Sequence, residues 1–374
     1  MNDWPIVRLG EVAQCLDVVR RPVRAADRHP GPYPYYGASG IIDHVDAYLL
    51  DGTYTLVAED GENLRSRNTP IAFLARGKFW VNNHAHVLAG DKETDTRYLA
   101  YLIEERDVAG YLSGSTQPKL TQQALLAMTV PLPPVPVQRA ISEVLGALDD
   151  KIEVNRSVGN RAERLALQLP SLTERTTSVG AVARNAHRTV PTSYFSGKEV
   201  EHFSLPAFDT GQLPLVQAGD EIKSAKCLLE EPTVLISKLN PHIPRVWMAT
   251  PGGAWLAVTS TEFVGLTPAS AYPTEVLWAL CASDDFQSQL LERVKGTTGS
   301  HQRVSREDIL ALRIPDPDAM DGDVGETITY LVRLAGGLRR ESARLASLRD
   351  TLLPRLLSGE VRVRNAGALV EETV

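Results

Sequence analysis

The segment Gln117–Pro133, QPKLTQQALLAMTVPLP, recurs without a gap as HQRVSREDILALRIPDP at His301–Pro317, 184 residues further along the chain. Each copy has the pattern of a polar loop, a short helix and a brief strand that ends at proline. A long helical segment follows each copy. Internal repeats define the organisation of a chain before any fold is named. We therefore expect two versions of one module.

Residues 1–136 are predicted to form an α/β domain, because apolar and β-branched runs alternate there with glycine, proline and charged turns. The predicted elements are a helix at Val7–Ala13, a strand at Thr53–Asp60, two strands within Ile71–Leu88 joined at Arg76–Lys78, and a helix at Thr96–Leu112. Residues 174–325 repeat this order of elements. We predict a second domain of the same fold, related to the first by an approximate twofold axis.

Two long helices are predicted at Val137–Leu169 and Glu326–Leu357, within helical regions 137–173 and 326–360 that are followed by a tail, 361–374. Their apolar residues recur at the alternating spacing of three and four that marks a helix packed on another helix. The predicted seam consists of Ile141, Leu145, Leu148, Ile152, Leu331, Leu338 and Leu345. The twofold relation predicts that the helices pair antiparallel as a coiled coil.

The composition is that of a soluble, cytoplasmic protein: 43% of the 374 residues are hydrophobic and 23% are charged. No apolar run approaches the roughly 18 residues of a membrane span, and the N-terminus does not have the pattern of a secretory signal. The net charge of −7 argues against a simple basic nucleic-acid coat protein. Residues 1–136 carry 13 Lys and Arg against 16 Asp and Glu, and residues 174–325 carry 13 against 19. If the chain binds DNA, local patches must therefore do it, with help from the charge of a partner.

Catalytic signatures are missing from the sequence: it contains no phosphate-binding GxxxxGK[ST] loop, no GxSxG elbow and no HExxH motif. His84 and His86 form the most metal-like pair, because residues two apart on a strand face the same side. A third ligand is not evident near them, so we expect no metal. Asp60 and Glu62 fall in a turn where solvated carboxylates are ordinary, and we expect no catalytic residues.

Clusters of polar residues occur at matching places in both modules. They indicate function better than the histidine pair or the turn carboxylates do. Asn and Gln can pair with adenine, Arg and Lys with guanine, and Ser and Thr with phosphate or base. The candidate DNA-binding residues of the first module are Tyr36, Arg65, Arg67, Asn82, Asn83, His84, His86, Ser115, Gln117 and Lys119. Those of the second module are Lys238, Asn240, His242, Arg245, Thr259, Ser260, Thr261, Ser300, His301 and Arg303. For any single residue, a solvated loop or a turn cap is an equally good interpretation.

Several stretches together resemble the specificity (S) subunit of type I restriction–modification systems. They are YPYYGASGIIDHVDAYLLDGTYTLVAEDG, FWVNNHAHVL, GSTQPKLTQQALLAMTVPLPPVPVQRAISEVLGALDDKIEVNR, STEF at 260–263, the repeat at 301–317, and LRDTLLPRLLSGEVRV. They touch both modules and both helical segments.

The resemblance implies two target-recognition domains, 1–136 and 174–325, each of which reads one half of a bipartite double-stranded DNA site. It implies that the coiled coil sets the spacer between the halves and docks two DNA methyltransferase (M) subunits, with motor-nuclease (R) subunits completing the restriction enzyme. The chain itself is then a non-catalytic recognition subunit that binds no cofactor. The partners use S-adenosylmethionine, ATP and Mg, and the complex acts as an adenine-specific methyltransferase and an ATP-dependent endonuclease.

Three alternatives stay open at this point. The chain could be a stand-alone DNA-binding decoy or regulator on the same scaffold, or the specificity subunit of a methylation-only defence system. An enzyme in its own right is disfavoured because no catalytic site was found.

Overall fold

The computed structural model describes residues 4–186, 188–294 and 302–363. Predicted site residues Ser300 and His301 lie outside these ranges. The chain divides into two compact units, of which unit 1 is Met1–Lys151 with Arg344–Val374 and unit 2 is Ile152–Ala343. Each long helix thus contributes one part to each unit. Among the described residues, no helix combines the length and the apolar character needed to cross a membrane.

The described elements mix short helices and strands in both units, as the sequence predicts. The strands up to the first long helix are β1 (Ile6–Arg8), β2 (Ala13–Cys15), β3 (Pro30–Gly37), β4 (Gly40–Val45), β5 (Leu50–Ala58), β6 (Ala72–Val81), β7 (Ala85–Gly90) and β8 (Thr129–Pro131). The helices of this part are α1 (Leu9–Val12), α2 (Asn63–Ser66), α3 (Thr96–Glu104), α4 (Gln122–Ala127) and the long α5 (Val135–Gln168).

The strands that follow are β9 (Thr176–Ser178), β10 (Ala183–Asn185), β11 (Arg188–Val190), β12 (Glu199–Phe203), β13 (Leu215–Ala218), β14 (Lys226–Leu228), β15 (Thr233–Ser237), β16 (Val246–Ala249), β17 (Leu256–Ser260), β18 (Phe263–Pro268) and β19 (Arg313–Pro315). The helices are α6 (Val179–Val182), α7 (Leu205–Gly211), α8 (Thr274–Cys281), α9 (Asp284–Glu292), α10 (Arg306–Leu310) and the long α11 (Gly322–Leu357).

Unit 1 is built on a six-stranded sheet in the order β2-β7-β5-β6-β3-β4. Neighbouring strands are antiparallel except for β3 and β6, which run parallel where Tyr35 lies opposite Trp80. Helix α3 covers one face, and its Leu99 and Ile103 share a buried apolar cluster with Val57 of the central strand β5. This packing fixes the ends of the strands, where the polar candidates lie.

The predicted break at Arg76–Lys78 is wrong. Strand β6 continues through these residues and pairs with β5 along its length, with Gly77 opposite Gly52. Both glycines have positive φ, 73° and 143°, so they distort the ladder without ending it. The chain instead turns at residues 82–84, between β6 and β7. The opening helix is also shorter than predicted, because Val7 belongs to strand β1.

Unit 2 divides its strands between two sheets, of order β10-β18-β15-β16 and β11-β14-β17-β12-β13. Strands β15 and β18 correspond to β5 and β7 of unit 1, because each pair is antiparallel and leads to the same polar turn. The second module therefore differs from the first mainly in its five-stranded sheet.

The repeated sequence builds the same local structure in each unit. Val130 of β8 pairs with Val7, and Ile314 of β19 pairs with Thr177. The carbonyl oxygens two residues earlier accept equivalent bonds, Met128 from Leu9 N–H at 2.9 Å and Leu312 from Val179 N–H at 3.0 Å.

The short helix of the repeat is capped in the same way in both copies. The Thr121 hydroxyl accepts from Ala124 N–H, and the Ser305 hydroxyl accepts from Asp308 N–H. Such caps satisfy backbone donors that the first turn leaves without partners. The predicted short helix and strand are confirmed in both copies, and the preceding loop of the second copy is described from Gln302 onward.

The long helices pair antiparallel within each unit. In unit 2, Asn155 of α5 donates to the Glu341 carboxylate of α11 at 2.9 Å. Further along α5, Ala166 packs with Ile328 and Val332, which lie earlier on α11. In unit 1 an Arg349–Asp149 ion pair of 2.8 Å joins the same two helices. Positions that rise along α5 meet positions that fall along α11, so the predicted antiparallel pairing is confirmed.

The buried faces of these helices include most of the predicted seam. Ile141, Leu145, Leu148 and Leu345 are buried, whereas Ile152, Leu331 and Leu338 are half-buried. Along the first part of α11 the buried residues are Ile328, Val332 and Ala335. Leu331 packs at the margin of the unit 2 core, next to this buried row.

Candidate nucleic-acid interface

A tight turn at residues 82–84 presents the exposed side chains of Asn83 and His84 in unit 1. Asn82 is buried, and its side-chain oxygen accepts from the His84 N–H at 2.8 Å, which holds the turn closed. The Asn82 N–H donates to the Tyr36 carbonyl at 3.1 Å, and the Glu59 N–H donates to the His84 carbonyl at 2.9 Å. The turn is thereby fixed to two neighbouring strands.

The loop of the repeat lies beside this turn. Lys119 forms isolated β-bridges with Asp60 and with Ser113, and the Asp60 carboxylate lies 2.8 Å from His84 Nδ1. Arg65 donates to the Gly114 carbonyl at 3.0 Å. The structure therefore brings six exposed candidates together in one area, which we call the first polar surface: Arg65, Asn83, His84, Ser115, Gln117 and Lys119.

A charged network underneath holds the segments of the first polar surface in place. Arg20 pairs with the carboxylates of Asp17 and Glu59. The same guanidinium donates to the backbone carbonyls of Asn83 at 3.4 Å and Ala85 at 3.1 Å. Lys119 in turn pairs with Glu59 at 3.0 Å. Arg20 is not among the residues that the sequence pattern predicted for this site, because its contacts are with residues 39 to 65 positions away.

His86 belongs to this network and is only 1% exposed. Its Nδ1 lies 2.6 Å from the Asp17 carboxylate, and its Nε2 lies 2.8 Å from the Leu120 carbonyl oxygen. Both ring nitrogens are therefore engaged with oxygen atoms of other segments. Burial alone would raise the pKa of Asp17, but hydrogen bonds from His86 and the Val87 N–H outweigh it and hold that pKa below its usual value. His86 thus supports the site from inside.

Cys15, Asp17 and His86 offer donor atoms that all lie within 4.8 Å of one another. Both His86 nitrogens already bond to oxygen atoms. Burial raises the pKa of the Cys15 thiol to about 12, so it stays protonated at neutral pH. The cluster therefore fits a hydrogen-bonded network better than a metal centre. The inference that His84 and His86 face the same side of one strand is wrong, because His84 lies in the exposed turn and His86 is buried.

Two further candidates of unit 1 also have structural roles. Tyr36 is buried and its ring stacks on Phe73 and meets Phe79 edge-on. Arg67 donates to the backbone carbonyls of Glu104 and Arg106. These contacts stabilise the scaffold beneath the first polar surface.

Unit 2 has an equivalent turn at residues 260–262. The Ser260 hydroxyl accepts from the Glu262 N–H at 3.2 Å, as Asn82 does in unit 1. Lys238 N–H donates to the Glu262 carbonyl at 2.9 Å, as Glu59 N–H does to His84. The structure therefore matches Asn82 with Ser260. Thr259 is buried and donates to the Phe203 carbonyl at 2.9 Å.

The second copy of the repeat loop meets this turn. Arg303 forms a β-bridge with Leu239 and an ion pair of 3.3 Å with Glu262. The Asn240 N–H donates to the Gln302 carbonyl at 3.0 Å. The structure groups six candidates here, which we call the second polar surface: Lys238, Asn240, His242, Ser260, Thr261 and Arg303. Arg245 differs from them, because Asp209 neutralises it through two bonds of 2.7 and 2.8 Å.

Equivalent positions of the two surfaces carry different charges. Backbone bonds place Lys238 where unit 1 has Glu59, and Glu262 where unit 1 has His84. Lys119 and Arg303 both contribute a cation, since each follows the same loop of the repeat. Amide, imidazole, ammonium and guanidinium groups present donors and acceptors of the kind that read base edges. One type of turn and loop thus presents a different pattern of polar groups in each unit.

Comparison with known proteins agrees with this geometry. Residues 1–164 match the family model of the type I restriction modification DNA specificity domain. A putative type I restriction enzyme specificity subunit of Haemophilus influenzae is 39% identical over 140 residues, which are 37% of this chain and 36% of that protein. The MjaIX specificity subunit of Methanocaldococcus jannaschii is 21% identical over 185 residues, 45% of this chain and 43% of that protein.

The fold agrees along almost the whole chain. The crystal structure of a type I restriction-modification system S subunit from M. genitalium has a TM-score of 0.63 and 14% identity, and the match covers 95% of this chain and 97% of that chain. Residues 1–164 are therefore similar to the DNA specificity domain of type I restriction–modification systems. The predicted resemblance to specificity subunits is confirmed. The chain spans 36% and 43% of the length of these two curated relatives.

Proposed function

We propose that this chain is the DNA sequence-specificity subunit of a type I restriction–modification complex. The first polar surface reads one half of a bipartite site, and the second polar surface reads the other half. The observation that carries this proposal is the recurrence of one turn-and-loop arrangement, with the same backbone bonds, in two units with different exposed side chains. Base readout needs such groups on a rigid scaffold.

The chain acts without catalysis of its own. Its paired long helices set the spacer and dock two methyltransferase subunits, which use S-adenosylmethionine to modify one adenine in each half-site. Motor-nuclease subunits, which use ATP and Mg, complete the restriction enzyme. Most cations at the candidate surfaces are paired with carboxylates, including Lys119 with Glu59 and Arg303 with Glu262. Phosphate affinity normally depends on unneutralised cations, so the partners supply much of the affinity of the complex.

Methylation sequencing of the host genome tests the proposal directly. We expect a bipartite adenine-methylated motif in cells that carry this gene and its neighbouring methyltransferase gene, and its loss when this gene alone is deleted. Purified chain without the methyltransferase should neither methylate nor cut DNA. A motif that persists after the deletion, or a continuous motif with one half only, would contradict the proposal.

A further inference from the structure

Strands β3 and β4 form an antiparallel ribbon whose tip is apolar and exposed. Ile41 and Ile42 are each 51% exposed, directly after the glycine turn at Gly40, where φ is +110°. Strand β4 is the edge strand of the six-stranded sheet. The exposed end of a two-stranded ribbon is usually polar, because exposing apolar side chains to water is unfavourable. Two adjacent exposed isoleucines on an edge strand are therefore a candidate contact surface.

The tip borders the first polar surface. A β-carbon at Gly37 would lie 3.3 Å from the Ile42 side chain and 3.5 Å from the Asn82 amide nitrogen. Asn82 begins the turn that presents Asn83 and His84, and it is bonded to Tyr36 of the ribbon. The apolar pair and the polar turn are thus neighbours on one side of unit 1.

The ribbon is held rigidly and its nearest carboxylate is neutralised. Tyr35 is buried, and its hydroxyl accepts from the Val23 N–H at 2.9 Å. Arg28 lies over the Tyr35 ring and pairs with Asp43 at 3.1 Å. Asp43 directly follows the isoleucines, so this pairing removes the charge that would repel a polyanion.

We propose that Ile41 and Ile42 enter the major groove at the first half-site and contact the 5-methyl group of a thymine. This inference rests on the proposed function, in which each half-site contains a target adenine and hence an A·T pair. The major groove is about 12 Å wide and admits a two-stranded ribbon, and the thymine methyl is the apolar mark that it displays. The first polar surface supplies the hydrogen bonds beside this apolar contact.

Thymine-to-uracil substitution tests the contact, because it removes the methyl group and leaves base pairing intact. Duplexes that carry the methylated motif, with one thymine replaced by uracil at a time, are titrated with the complex of the full chain and its methyltransferase. We expect one thymine of the first half-site whose replacement weakens binding about fourfold, which corresponds to about 0.8 kcal/mol for one buried methyl group. The variant Ile41→Ser/Ile42→Ser should bind both duplexes equally.

Ile6→Ser is the matched control, since Ile6 is an exposed isoleucine of unit 1 on strand β1. It should keep the full sensitivity to uracil, as should the conservative Ile41→Val/Ile42→Val variant. Insensitivity of the wild-type complex at every thymine would overturn the inference while leaving the proposed function intact. The inference would also be overturned if the serine variant kept the wild-type sensitivity to uracil, or if the serine variant failed to assemble with the methyltransferase while the valine variant and Ile6→Ser assembled. Neither result would contradict the proposed function. A wild-type complex with no motif-specific binding would instead refute the proposed function, and the inference with it.

Discussion

His86 and Leu120 join the sheet of unit 1 to the loop of the repeat: the imidazole donates to the Leu120 carbonyl at 2.8 Å from a buried position. The other ring nitrogen bonds to Asp17, so a single side chain links strand β7 to two other segments. Val264 of unit 2 holds the matching position, two residues after its own turn. Among the described residues, this histidine link between a strand and the loop of the repeat therefore occurs in unit 1 and not in unit 2.

Replacing His86 by leucine should lower the free energy of unfolding by about 1–3 kcal/mol, because the change removes one hydrogen-bonding partner of the Asp17 carboxylate and leaves the Leu120 carbonyl oxygen without its partner. The loop of the repeat should also lose its order, which hydrogen exchange of the Leu120 region would detect. His84→Leu, at an exposed position two residues away, should change stability by no more than about 0.5 kcal/mol. Equal melting of the two variants would show that the bridge does not stabilise the fold.

Asp17 makes the stability of unit 1 dependent on acid. Its pKa is held below the usual value, against the effect of burial, by hydrogen bonds from His86 and Val87 and by Arg20. A lowered folded-state pKa contributes stability above about pH 4, and that contribution is lost as the pH falls through the folded value. Asp17→Asn should be less stable than wild type at pH 7, with the difference shrinking towards pH 3. Urea unfolding across this range measures it. Parallel curves for the two proteins would contradict the mechanism, and Glu62→Gln, in an exposed turn, is the control.

Substitutions at Asn82 and at Asn83 should separate an effect on the stability of the turn from an effect on the recognised DNA sequence. Asn82→Ala removes the acceptor that closes the turn and should cost about 1 kcal/mol, whereas Asn82→Ser should restore the turn because Ser260 closes the equivalent turn of unit 2. Asn83→Ala should leave melting unchanged and relax or abolish methylation at the first half-site, since a lost bidentate contact is worth about 1–3 kcal/mol of discrimination. An altered melting temperature with an unaltered motif for Asn83→Ala would reverse these roles.

Leu148 tests the paired helices. It is 1% exposed on α5, so Leu148→Asp places a charge without a partner in a buried position and should cost about 3–5 kcal/mol. Val154, on the same helix, is 56% exposed. Val154→Asp should therefore stay within about 0.5 kcal/mol of wild type. Thermal unfolding of the two variants side by side decides the matter, and similar melting would argue against a buried seam.

Local periodicity and the repeat predicted much of the fold. The short helix that begins at Thr121 or Ser305 followed from local patterning, the long helices followed from their apolar spacing, and their antiparallel pairing followed from the repeat. The continuity of β6 through Gly77 did not, because a glycine flanked by Arg76 and Lys78 has the composition of a turn. Only the pairing with Gly52 reveals a distorted ladder.

The sequence located the candidate surfaces but did not separate exposed from buried members. Asn82, His86 and Thr259 are polar residues next to exposed ones, and their burial depends on bonds to Tyr36, Leu120 and Phe203. Those bonds span 34 to 56 positions of sequence. Polar type and spacing carry no information about contacts at that distance, so Arg20 and Asp17 were missed for the same reason.

The division of the site between the two units gives the last prediction. Replacing residues 174–325 with the second recognition domain of another specificity subunit should rewrite one half of the methylated motif and leave the other half and the spacer unchanged. The exchanged segment contains both strands of the β9–β19 pair, so the exchange does not separate Thr177 from its partner Ile314. It also contains the whole second polar surface, while Asn83, His84 and Lys119 stay behind with their supporting network. The helix segments at Asn155 and Glu341 lie outside the exchange and keep their 2.9 Å bond.

Methylation sequencing of cells that carry the chimera is the measurement, and the parental chain is the control. A chimera that rewrites both halves, or that changes the spacer alone, would show that the two surfaces do not read DNA independently.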